Sequence, residues 1–129
     1  MESPIHILNW YFGWVSVLTA FATGALMGLF FHREHFLGGY TSFRRRIIRL
    51  GHIAQAALGM MNVLYALSPW PIHERWQAGA ASVAFMLGGI AMPLVCFLAG
   101  WKESFRHLFF IPVVFLVAAV TLTLQGALP

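Results

Sequence analysis

The 129-residue chain has no aspartate, four glutamates, one lysine and one cysteine. Each shortage closes off a class of chemistry. Glu2, Glu34, Glu74 and Glu103 all lie outside the long apolar runs. No carboxylate pair is therefore available for general acid–base work within such a run. Cys96 has no second cysteine, so neither an internal disulfide nor a CxxC or zinc spacing can form. A buried, inert thiol is its expected state. Phosphate-loop and dinucleotide-binding patterns are missing. Charged residues make up only 9% of the chain, against about a quarter in a soluble domain. That is too little polar surface to cover a globule.

What is there is apolar. Hydrophobic residues account for 60% of the chain and aromatics for 16%, and mean hydropathy is +0.76. A helix needs about 20 mostly apolar residues to span a bilayer. Four stretches qualify, at about 10–31, 48–69, 78–98 and 108–128. The first follows MESPIHILNW, which lacks the basic start of a secretory signal and is expected to be kept as a helix. Pro93 and Pro112 fall in the third and fourth runs and are expected to kink them. The fold class that follows is an all-α integral membrane protein. It is one membrane domain covering 1–129, a four-helix up-down bundle joined by short connections.

The charges orient it. Arg33, Arg44, Arg45, Arg46 and Arg49 sit with Glu34 in or beside the first loop, and Lys102 and Arg106 sit with Glu103 in the third. On the other side are Glu2, Glu74 and Arg75. Seven of the eight basic residues thus share one side. The positive-inside rule places the basic loops 32–47 and 99–107 in the cytoplasm and both termini outside, in a cell inner membrane. Trp10, Trp14, Trp70, Trp76 and Trp101 fall near helix ends, as interfacial anchors should. The high pI therefore reports topology and anionic lipid headgroups rather than nucleic acid.

Helix faces can be read from small and polar residues. Gly24 and Gly28 continue to His32 and His35 at helical spacing, and Gly51, Gln55, Gly59, Asn62 and Ala66 form a second stripe. Amides are poorly placed in lipid, so the second stripe is expected to face other helices. Ala84, Gly88 and Ala91 are the expected interior of the third run. His107, Ile111, Val114, Ala118, Thr121 and Gln125 are that of the fourth.

His32, His35, His52 and His107 all fall near the cytoplasmic ends, with His52 deepest. Imidazole is a ready axial ligand for haem iron. His52 and His107 are the candidate pair for one haem b between diagonal helices, with Arg44, Arg45, Arg46 or Arg106 as propionate partners. Small size and paired inner histidines are similar to those of membrane-anchor b-type cytochromes. A zinc or copper site from His32, His35 and His52 is a weaker alternative, because structural zinc usually takes four ligands. The other reading of these histidines is interfacial, with His32 and His35 near the negative end of the first helix.

No charged residue lies in the middle of a span, which argues against autonomous proton-coupled transport. The expected function is a non-catalytic accessory or anchor subunit of a membrane redox or respiratory complex, with partner subunits or further copies of itself. A cofactor-free scaffold or assembly protein is the alternative, and an oligomeric small-solute or metal transporter the third class.

Overall fold

The computed structural model describes residues 4–68 and 75–126. Glu2, His73, Glu74, the Trp70 anchor and the expected close of the fourth span at 127–128 lie outside the described residues. Among the described residues there are four α-helices and no strand. They are α1 (Pro4–Phe31), α2 (Phe43–Leu67), α3 (Arg75–Trp101) and α4 (Phe110–Gly126), with 3-10 segments at Phe36–Gly38 and Glu103–Phe109. Counting the second 3-10 segment with α4, all four are long and apolar enough to cross a membrane. This is the make-up of a small multi-pass membrane protein.

α1 stops at Phe31, so His32 and His35 lie beyond the helix rather than on its face. The chain then turns through Leu37, Gly38 and Gly39, all at positive φ (55°, 85° and 93°). Glycine adopts this conformation without steric cost, while Leu37 is held there against its preference. Ser42 starts α2 earlier than the apolar run alone suggests. Its hydroxyl accepts from the Arg45 backbone N–H at 3.2 Å and donates to the Leu37 carbonyl at 2.8 Å. In α4, Pro112 falls in the first turn, where the missing N–H costs nothing. Pro93 is inside α3.

Small residues set the packing. A Cβ placed on Gly13 would lie 2.6 Å from the Gly59 carbonyl oxygen, and one on Gly59 would lie 2.9 Å from that of Gly13. The α1 and α2 backbones are therefore in direct contact, as small residues permit in membranes. Gly51 lies against Cys96, and Gly100 against Ile48, which joins α2 to α3. Gly88 receives Leu116 of α4, while the adjacent Gly89 receives the Phe12 ring of α1. Successive helical residues point about 100° apart, so α3 presents small residues on two faces and is shared by its neighbours.

The second and fourth helices, expected as diagonal neighbours around a shared space, do not stand in that relation. α4 packs on α3, and no comparable interface joins it to α1 or α2. Its buried residues are Pro112, Ala119 and Gly126. Val114, Thr121 and Gln125, expected inside, are exposed. Two apolar clusters fill the interior. One joins Tyr65, Ala81, Ala84, Phe85 and Ala119, and the other joins Ile47, Cys96 and Ala99 beneath Phe43, Phe105 and Phe109.

Candidate functional site: an arginine clamp, a polar seam and a cleft

Three consecutive arginines open α2, at the positive end of its helix dipole, where their charge is least welcome. Two of them serve other helices. Arg45 is only 2% exposed. Its Nε donates to the Phe36 carbonyl at 2.6 Å, Nη1 to the Phe31 carbonyl at 3.2 Å, and Nη2 to the Arg33 carbonyl. The guanidinium also lies 5.2 Å from the Phe31 ring centre. Arg44 Nη2 donates to the Trp101 carbonyl at 2.8 Å, at the end of α3. The negative ends of α1 and α3 are thus each capped by a cation from α2. Arg49 lies 4.8 Å from the Tyr40 ring centre, a cation–π contact. Arg33, Arg46, Lys102 and Arg106 remain exposed.

A polar seam runs between α1 and α2 in two parts. At the end far from the arginines, Asn9 and Asn62 are fully buried. Asn9 Nδ2 donates to Asn62 Oδ1 at 2.8 Å, Ser82 Oγ donates to Asn9 Oδ1, and Asn62 Nδ2 also reaches the Leu58 and Phe85 carbonyls. One network therefore pins three helices. Beyond it, the His6 ring stacks on Tyr65 and its Nδ1 lies 3.1 Å from the Ala66 carbonyl.

The second part contains His52. Gln55 Nε2 donates to Thr19 Oγ1 at 2.7 Å, and Gln55 Oε1 lies 3.3 Å from Thr23 Oγ1. Thr23 Oγ1 lies 3.1 Å from His52 Nδ1. The threonine has one proton, and both the Ala20 carbonyl and Gln55 Oε1 are within its reach. Which of His52 Nδ1 and Thr23 Oγ1 donates is set by the imidazole tautomer. Between the two parts lies the Gly13–Gly59 contact. Gln55 and Asn62 are separated by roughly 10 Å of helix rise, so the seam is two separate networks rather than a continuous path.

His52 turns toward α1, and a Cβ on Gly24 would lie 2.8 Å from its Cε1 and 3.3 Å from its Nε2. His107 is exposed on the 3-10 segment, which packs chiefly on α3. The geometry therefore does not bring these two imidazoles toward a shared space between α2 and α4. His32 and His35 are exposed beyond α1. Among the described residues, no three His, Cys, Asp or Glu side chains gather in a metal-binding group. Gly28 faces open space, whereas Gly51, Gln55, Gly59 and Asn62 lie at helix contacts.

A cleft of about 280 Å³ opens between α1 and α3, with α2 behind it. Phe12 and Thr19 of α1, Gln55 of α2, and Gly89, Pro93 and Phe97 of α3 are among its lining residues. α1 and α3 meet at Asn9–Ser82 and at Phe12 on Gly89, and the cleft continues toward Thr19 and Phe97. Sequence reading missed it. Compared with protein-family models, curated proteins and solved structures, the chain finds no significant match.

Proposed function

We propose that this chain is an up-down bundle of the cytoplasmic membrane with both termini outside. It serves as a non-catalytic accessory or anchor subunit of a larger membrane assembly, with α4 as the docking helix. The outward face of α4 carries this reading. Val114, Ala118, Thr121 and Gln125 recur at helical spacing on it. Among the described residues, neither the Thr121 hydroxyl nor the Gln125 amide has a side-chain hydrogen-bond partner, and both residues are exposed. Lipid tails offer none. A neighbouring helix does, and small or polar stripes of this kind mark helix contacts in membranes. Exposed Arg33, Arg46, Lys102 and Arg106 face anionic headgroups, at about 1 kcal/mol each near the surface.

The alternative with haem b held by His52 and His107 asks more of the molecule. His52 would leave Thr23 and Gly24, and the ligand pair would form across α3. The cofactor-free reading keeps the Thr23–His52 bond as a fixed part of the α1–α2 contact.

Extraction from native membranes in a mild detergent, followed by native electrophoresis, tests the docking reading. The wild-type chain is expected in a particle larger than the monomer, and T121V/Q125L is expected to shift toward the monomer. A wild-type chain that runs as monomer, with the double variant unchanged, would overturn it.

A further inference from the structure

We propose that the α1–α3 cleft binds the head group of a membrane quinone, with the isoprenoid tail leaving through the open side into lipid. The cleft has a shape, two polar groups and aromatic walls that together select this class.

Its donor is Gln55. One Nε2 hydrogen goes to Thr19 Oγ1. The primary amide has a second hydrogen, with no partner among the described residues, and Gln55 lines the cleft. In the hydrocarbon core an unpaired amide N–H is costly. A ligand carbonyl satisfies it. The acceptor follows from Pro93. A helical carbonyl points along the axis toward residue i+4. For Gly89 that residue is Pro93, which has no N–H to offer. Both residues line the cleft. The oxidised head group thus finds a donor in Gln55, and the reduced form, with its hydroxyls, finds an acceptor in the Gly89 carbonyl. Phe12 and Phe97 supply aromatic surface for a flat ring. The volume of about 280 Å³ lies just under the usual range for small-molecule sites, which suits one ring with its tail outside. A saturated acyl chain would fill the space but offer no acceptor to the second Gln55 N–H.

The inference deepens the accessory-subunit reading by giving it a membrane-soluble ligand, and rests on that reading only for its setting. The cleft is built from α1, α2 and α3, so docking through α4 and quinone binding can fail separately.

The test uses the full chain in phospholipid nanodiscs and a photoreactive azido-benzoquinone with a decyl tail. The expected result is labelling within residues 12–19 or 89–97, competed by unlabelled decyl-benzoquinone but not by decanol. Q55M removes the donor with little change in volume, and labelling is expected to fall at least fivefold. I90W fills the mouth from an exposed position and is expected to lower labelling at least tenfold. Circular dichroism and thermal melting confirm that both variants fold. Labelling unaffected by either folded variant, or competed equally by decanol, would overturn the proposal and leave an acyl-chain groove. Should Q55M not fold, I90W and the decanol competition decide together. In the same preparations, the T121V/Q125L variant is expected to label as the wild type does.

Discussion

Replacing Arg45 separates a structural role from a topological one. R45M removes a cation that donates to three carbonyls at and beyond the end of α1. Hydrogen bonds to charged groups contribute about 1.5–3 kcal/mol each, and a cation at a partly buried helix C-terminus adds up to about 2 kcal/mol. These do not simply add. Methionine ends the burial of a charge, and carbonyls near the interface can take water in its place. A net loss of about 2–4 kcal/mol is the result, in the range for breaking a buried polar network. R46M is the control. It removes the same charge from the neighbouring, exposed position and should cost about 0.5 kcal/mol or less. R45K keeps the charge but loses the planar fork and should fall between the two. SDS titration in mixed micelles, followed by tryptophan fluorescence, gives the three midpoints. Equal midpoints for R45M and R46M would refute the capping role and return Arg45 to the generic basic loop.

Other positions give sharp contrasts. G13A places a methyl 2.6 Å from the Gly59 carbonyl oxygen and should cost about 1–3 kcal/mol by overpacking, whereas G28A meets nothing within 4 Å and should leave the SDS midpoint unchanged or slightly higher. N62L leaves Asn9 without its partner and should cost about 1–3 kcal/mol, with N9L adding less on top of it than it costs alone, read in the same titration. The dithionite-reduced visible spectrum of protein expressed with ample haem should be featureless. A sharp α-band lost in H52A would instead establish haem and displace the cofactor-free reading.

The spans were legible because their signal is composition, which needs no knowledge of packing. The α2 stripe was legible for a related reason: Gln55 and Asn62 are unusual in lipid, and each points to a neighbouring helix. The phase of α4 was not. FIPVVFLVAAVTLTLQG is apolar nearly all round, so no face stood out until Gly88 of α3 fixed where Leu116 packs. Gly28 illustrates the opposite error: a small-residue motif with nothing packed on its second glycine, while the true close contact joins Gly13 and Gly59, which no short motif links. The arginine clamp was hidden because the positive-inside rule already accounts for basic residues in this loop. Only the geometry separates Arg44 and Arg45, which cap α3 and α1, from Arg46, which is exposed. The candidate haem pair was read from the second and fourth helices as diagonal neighbours, whereas α4 packs chiefly on α3.

Docking through α4 can be probed directly in native membranes. A photo-crosslinking benzoyl-phenylalanine placed at Thr121 reports on the outward α4 stripe, and one at Leu18 reports on an exposed apolar position of α1. The expected outcome is a discrete protein adduct of reproducible mass from position 121 and none from position 18. Lipid adducts alone from both positions would contradict the docking role of α4.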